Sequence, residues 1–294
     1  MRLNKYISHN SKYSRRDADK LIEAGEVTVN KQKMDNFAYD VQEGDHVSIK
    51  GIPLKARTEL TMIVYNKPKG TLVTKKDDRG RTTIYHKLSG KFRHFIPVGR
   101  LDYASEGLLV MTDSPKVADI MMRSGLDRTY NIKIDKPLSP EMEEAMQKGL
   151  VLEDARAGGH ERSKIYSMEF EPFVHYEVRG VSSNFTKLRV TIAEGKNREL
   201  RRFFGHFDAT VLDLKRVAFG GIELNNLPTN KTRFFSRREY DDLHKYLKAI
   251  QQREAQEKKE AQDKINAERL KAKKLKKEQE KRERKEGEKK GSKR

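Results

Sequence analysis

The chain has 294 residues, room for two domains and a tail, and its formal net charge of +19 comes with 36% charged and only 35% hydrophobic residues. So basic a chain suits a polyanionic partner, nucleic acid ahead of an anionic membrane. It has no cysteine, which excludes disulfides and thiolate metal sites and fits a reducing cytoplasm. The opening Met1-Arg2-Leu3-Asn4-Lys5 has no apolar signal core, and no run reaches the length of a membrane span.

The charge is spread unevenly. Residues 1–50 hold 9 Lys+Arg against 8 Asp+Glu, residues 51–250 hold 36 against 26, and residues 251–294 hold 18 against 10. A polyanion is therefore expected on the middle and the tail, and the head must act through local placement of charge.

Residues 1–50 read as a small module. Leu3, Tyr6 and Ile7 have helical spacing. Ser14 caps a second helix, with Asp17 completing a capping box, Ala18, Leu21 and Ile22 on one face and Gly25 as the stop. Val27 and Val29 alternate as a strand before an Asn30-Lys31 turn, and Val41, the Gly44-Asp45 turn and Val47–Ile49 make another. Arg15 and Arg16, with Lys12, set cations at the second helix start, within reach of phosphates; by itself such a cluster is more often a solvated face.

Residues 51–60 are expected to be a polar linker. The second domain, 61–248, reads as strands at 62–65, 95–98, 107–112, 129–134, 164–170, 186–193 and 211–217, with helices at 115–123, 140–148, 197–206 and 236–249. Strands outnumber helices without regular alternation, so the expected class is α+β with a mostly antiparallel sheet. Residues 249–294 are a basic low-complexity tail. Ile265, Leu270 and Leu275 are too sparse for a core, Glu254–Lys258 and Glu260–Lys264 are favourable helix pairs, and 287–294 are expected to be disordered.

Three strings of the middle domain carry chemistry. In Gly99-Arg100-Leu101-Asp102-Tyr103-Ala104-Ser105-Glu106-Gly107-Leu108-Leu109 a carboxylate sits on a loop between two apolar strands. An Arg-x-Asp alone is most simply a solvated ion pair in a turn. An aspartate working as nucleophile or base must stay ionised in a partly closed pocket, and that needs a nearby cation. In Arg128-Thr129-Tyr130-Asn131-Ile132 the tyrosine is either core or a platform for a base. In Glu194-Gly195-Lys196-Asn197-Arg198-Glu199-Leu200-Arg201-Arg202 a helix opens with four cations in seven residues, which alone is no more than a phosphate-binding helix start.

Together these strings, with Tyr65-Asn66-Lys67-Pro68-Lys69-Gly70 and a weaker Phe219-Gly220-Gly221-Ile222, resemble the RsuA-type family of ribosomal RNA pseudouridine synthases. Residues 2–30 resemble an S4-type RNA-binding domain, and the two resemblances cover about residues 1–247. The resemblance implies isomerisation of a uridine, flipped out or unpaired, to pseudouridine in ribosomal RNA, with no cofactor and no metal. It implies that Asp102 is catalytic, that Tyr130 lies against the uracil, and that Arg201 pairs with Asp102. Leu200 would pack beneath the ring. Arg100 would fill the vacated space or hold a phosphate, while Lys196, Arg198, Lys67, Arg15 and Arg16 would contact RNA. The long basic tail is closer to the large-subunit enzymes of the group than to the compact small-subunit ones. A monomer is expected, since no heptad run is sustained.

Glu199 stands where the family more often has Gln, Leu200 where Ile is common, and Asp113-Ser114-Pro115 replaces an Asn/Asp-Gly turn. Two other classes stay open at this level. One is a non-catalytic RNA-binding ribosome factor. The other is an RNA glycosidase-like hydrolase, which would need a second acid, for which Glu106 and Glu194 are the nearest candidates.

Overall fold

In the computed structural model the described residues are 1–253 apart from 12, 43 and 55–59, together with 255–263 and 266. They divide into two compact units, Met1–Ser236 and Arg237–Arg294. Lys12, Ile265, Leu270, Leu275, residues 287–294 and one member each of the Glu254–Lys258 and Glu260–Lys264 pairs lie outside the described residues.

The chain opens with α1 (Leu3–Asn10) and α2 (Arg15–Glu23). The capping box at α2 is complete: Ser14 Oγ accepts from the Asp17 amide, and the Asp17 carboxylate accepts from the Ser14 amide. Strands β1 (Val27–Val29), β2 (Gln32–Lys33), β3 (Val47–Ile49) and β4 (Ile52–Pro53) form a sheet of order β2-β1-β3-β4. Leu3, Ile7, Ile22, Val27 and Val47 pack into its own small core. Val41 is buried in that core outside any strand, and the sheet takes in Ile52–Pro53, which the sequence assigned to the linker.

The larger core lies under β5 (Met62–Lys67), α3 (Ile84–Lys87), β6 (Ile96–Pro97), β7 (Glu106–Thr112), α4 (Pro115–Arg123), β8 (Arg128–Ile134), α5 (Pro140–Lys148), β9 (Leu150–Leu152), β10 (Met168–Phe170), β11 (His175–Ser182), β12 (Phe185–Ile192), α6 (Glu199–His206), β13 (Val211–Phe219), β14 (Ile222–Glu223) and β15 (Thr232–Phe234). The main sheet runs β11-β12-β8-β13-β7-β5-β15, with β14 on β13 and β6 on β7. Every pairing of named strands in it is antiparallel except β13 with β7, which run parallel and match only at Lys215↔Glu106 and Arg216↔Gly107. Gly107 sits at φ +103, and a Cβ there would collide with the Arg216 backbone carbonyl, so the two strands meet at a residue that must be glycine.

Where elements differ from expectation, local chemistry explains it. The strand expected at 95–98 keeps only Ile96–Pro97; beyond Pro97, which has no amide to donate, a single bond from the Val98 amide to the Val110 carbonyl ties the chain to β7. The strand expected at 164–170 shrinks to Met168–Phe170: the Ile165 carbonyl, which a longer pairing would use, faces the Arg202 guanidinium at 3.5 Å instead. Strand β11 escaped the sequence because its alternation is polar on both faces, with Val178 and Val181 exposed on a sheet edge. The helix expected from 197 begins at Glu199, since Arg198 adopts a left-handed conformation at φ +51. The second unit opens with helical residues 237–253, so the helix expected to close the catalytic domain belongs to that unit.

Candidate active site

Asp102 lies on the loop between β6 and β7, its side chain 31% exposed. The loop is tied from beneath by the end of β5. Lys67, fully buried, donates through Nζ to the carbonyls of Asp102 (3.1 Å), Ser105 (2.7 Å) and Pro68 (3.1 Å), and the Gly70 amide donates to the Tyr103 carbonyl. Burial pulls the Lys67 ammonium down to about 8, against the raising effect of Asp102 and Glu106. Lys67 therefore does not face an RNA, as the family resemblance suggested; it shapes the loop that carries Asp102.

Two guanidiniums face the Asp102 carboxylate: Arg198 Nη1 at 3.7 Å and Arg201 Nε at 3.8 Å. Arg201 is nearly buried and clamped, donating to the carbonyl of Val211 (2.9 Å) and, through Nη2, to the Ala104 carbonyl and Ser105 Oγ (3.4 Å each). Its Nε, pointing at Asp102, has no hydrogen-bond acceptor among the described residues. Burial and the neighbouring Arg198 lower the Arg201 pKa while Asp102 raises it. A guanidinium fixed at this distance sets positive charge against the carboxylate without a direct hydrogen bond and leaves its oxygens open to a ligand. Sequence reasoning left Arg198 for phosphates. Its left-handed backbone, and the bond from Nε to the Gly158 carbonyl (2.8 Å), turn it to Asp102 instead.

A cavity of about 630 Å³ opens beside Asp102, of a size for a nucleotide-scale ligand. Tyr130 of β8 and Leu200 of α6, both buried, form apolar parts of its wall, and Arg100, exposed, stands beside Asp102 on the same lining. Arg198 and Lys196 line it too, but Lys196 Nζ is already engaged by Glu194 at 2.6 Å and by the Glu169 carbonyl at 2.7 Å. Glu194 is thus held in an ion pair, and Glu106 does not line the cavity. Arg15 and Arg16 are exposed on the first turn of α2 and lie outside this cavity. Arg15 lines a second one, of about 430 Å³, with Arg2, Lys5 and Lys116.

Among the lining residues that the sequence did not single out are Arg128, Arg216, Phe219 and Glu199. Glu199, 7% exposed, accepts from the Lys196 amide at 2.8 Å, and burial pushes its carboxyl up to about 7. Arg128, Glu199 and Phe219 stood within strings singled out for other positions. Arg128 and Arg216 lie in alternating strands, where an arginine ordinarily reads as solvent-facing. Arg202, one of the four cations at the start of α6, is fully buried and donates to Ser163 Oγ and to the carbonyls of Asn197 and Ala155, so it braces the helix.

Comparison with known proteins agrees with this fold. Residues 61–206 match the model of the RNA pseudouridylate synthase family, and residues 1–47 that of the S4 domain. An RNA pseudouridine synthase of Helicobacter pylori is 47% identical over 250 residues, 84% of this chain and 95% of that protein. The dual-specificity RNA pseudouridine synthase RluF of Escherichia coli is 31% identical over 84% of this chain and 79% of its own. The ribosomal large subunit pseudouridine synthase B of Bacillus subtilis is 28% identical over 79% and 91%. Among solved structures, one described as a pseudouridylate synthase aligns with a TM-score of 0.55 at 21% identity, covering 83% of this chain and 99% of that one, a likeness of fold. The class defined is an RNA-modifying isomerase with an added S4 module. The chain belongs to the RNA pseudouridine synthase family.

Proposed function

We propose that this enzyme converts a specific uridine of ribosomal RNA, of the large subunit, into pseudouridine, with Asp102 as the essential carboxylate. The observation that carries the reading is the half-exposed Asp102 carboxylate between two guanidiniums, at a nucleotide-sized cavity walled by Tyr130 and Leu200. The named ribosomal RNA synthase of Bacillus subtilis supports the substrate.

The bond from N1 to C1′ breaks, the uracil turns, C5 bonds to C1′, and the C5 proton is lost while N1 gains one. Atoms and electrons balance without an added reagent. Tyr130 presents its ring to the flipped base, Leu200 supports the other side, and Arg201 holds its positive charge against Asp102. Arg100 occupies the space the base leaves. Residues 1–50 serve as the RNA-binding module, and the catalytic domain runs from residue 61 to the unit boundary at Ser236. The basic tail adds sequence-independent grip. The enzyme works as a cytoplasmic monomer on ribosomal RNA or its precursor particles.

The test is a map of pseudouridines in ribosomal RNA from cells lacking the protein, complemented with wild type or with Asp102→Ala. One site lost in the deletion and restored by wild type alone supports the whole reading. Restoration by Asp102→Ala removes Asp102 from the chemistry. Unchanged maps point to a non-catalytic ribosome factor or another RNA, and an abasic site in place of pseudouridine points to a hydrolase.

A further inference from the structure

Where Arg128, Arg216 and Phe219 line the cavity, one buried side-chain donor is without a partner among the described residues. Arg216 is 4% exposed, and its Nε donates to the Leu108 carbonyl at 2.8 Å. Its guanidinium lies 5.3 Å from the centre of the Phe219 ring, so one hydrogen bond and one ring contact fix it. Its Nη2 has no acceptor within hydrogen-bond reach among the described residues. Buried donors left in that state are rare and costly in native proteins. The neighbouring Arg128 differs: its Nη1 is already shared between the carbonyls of Leu126 (2.7 Å) and Ala193 (3.0 Å).

The position of Arg216 says what the free donor meets. Strand register sets Arg216 directly opposite Tyr130 on β8, and both line the cavity. Opposed residues of an antiparallel pair present neighbouring side chains on one face. A base lying on Tyr130 therefore has the Arg216 guanidinium at its edge. Arg198 and Arg201, not Arg216, make the ion pairs with Asp102, so the sugar end of a bound nucleotide belongs to them and the far edge of the ring to Arg216.

Resting on the uridine reading of this cavity, we infer that Arg216 is a specificity-determining residue, whose Nη2 donates to O4 of the target uracil. A guanidinium only donates. Uracil offers an acceptor at that edge. Cytosine offers an amino group, which would leave two donors facing each other, a mismatch that binding sites reject strongly. The same donor serves the product. Turning uracil so that C5 replaces N1 exchanges O2 and O4, and an acceptor again stands at the far edge.

The test is calorimetric or NMR titration of the full-length protein with uridine 5′-monophosphate, its 4-thio and 2-thio forms, and cytidine 5′-monophosphate. A thiocarbonyl is a poor acceptor, so wild type should bind the 4-thio form and the cytidine nucleotide about tenfold more weakly than uridine 5′-monophosphate. The 2-thio form should stay close to the parent. Arg216→Gln should level the 4-oxo and 4-thio affinities. If that variant does not fold, the 4-thio against 2-thio contrast in wild type decides. Absence of uridine 5′-monophosphate binding, equal 4-oxo and 4-thio affinities, a larger 2-thio penalty, or a preference kept in Arg216→Gln each overturns the inference. Failure of the proposed reaction would show instead in the pseudouridine map and leave the nucleotide preference in place.

Discussion

Replacing Lys67 by Met keeps most of the buried stem and removes the group that holds the carbonyls of Pro68, Asp102 and Ser105. Leaving a buried carbonyl unpaired costs about 1–3 kcal/mol, and part of that loss is offset because no ammonium need then be desolvated. A net loss of about 3 kcal/mol follows, a fall of roughly 6–12 °C in melting temperature for a domain of this size. Catalysis should fall more than RNA affinity, because the loop bearing Asp102 loosens while phosphate contacts elsewhere remain. Lys67 also leaves a pH signature. Its pKa falls from 10.5 unfolded to about 8 folded, because burial disfavours the charged form. Below about 8 both states are protonated and the desolvation cost is fully present. Above it the folded state sheds its proton first, the unfolded state binds more protons, and stability rises with pH. The stability gap between wild type and Lys67→Met should therefore widen by ~1.4 kcal/mol from roughly pH 7 to pH 9. Chemical denaturation of both proteins at the two pH values measures it. A gap that is constant or narrows, or a variant with wild-type melting and turnover, would refute the placement of Lys67 as a buried clamp.

Asp102→Asn should cut single-turnover pseudouridine formation by roughly a thousandfold while RNA binding, read by filter retention, changes little. Arg201→Met should lower the same rate roughly a hundredfold, because Arg198 at 3.7 Å keeps part of the positive field on Asp102; a variant within threefold of wild type would mean that Arg198 suffices. Glu199 has its carboxyl raised from 4.5 to about 7, so its stabilising contribution is full below 4.5 and is lost as pH rises through 7. Wild type should thus lose about 3 kcal/mol between those limits that Glu199→Gln does not, and parallel denaturation curves for the two proteins across that window would contradict the burial of this carboxyl.

Much of the fold could be read because its local signals are strong. Ser14 and Asp17 make a capping box recognisable by spacing alone, and Met62–Tyr65 and Leu108–Met111 are continuous apolar runs of the kind that only doubly covered strands require. Strand β11 was not legible, because an edge strand exposed on both faces carries no alternation to detect. The site divides in the same way. Asp102, Tyr130, Leu200 and Arg201 could be picked from short strings, and the structure gathers them at one place. The role of Lys67 could not be picked, because a lysine before Pro-Lys-Gly reads as exposed until three carbonyls are seen converging on it. Arg198 was misassigned for a backbone reason, since its left-handed conformation redirects the side chain by a turn that residue type does not announce. Arg128 and Arg216 depend on the partners of β8 and β13, a pairing between residues nearly ninety apart in the chain, which periodicity within either segment does not contain.

The short parallel match of β7 with β13 has a consequence for how the enzyme comes into being. One half of the sheet has β6, β7 and β5 within residues 62–112, with β15 added at its edge from residues 232–234, and the other has β8, β11, β12 and β13 within residues 128–219. They are joined at two residue pairs, Lys215↔Glu106 and Arg216↔Gly107. Asp102 arrives from the first half, and Tyr130, Arg198, Arg201 and Arg216 from the second. Contacts of such long sequence separation carry the loop-closure entropy that slows folding, so the join closes after each half has its own ladder. Chemistry therefore waits on that closure: a chain arrested before it would own every residue of the site and no site, and would hold RNA without altering it.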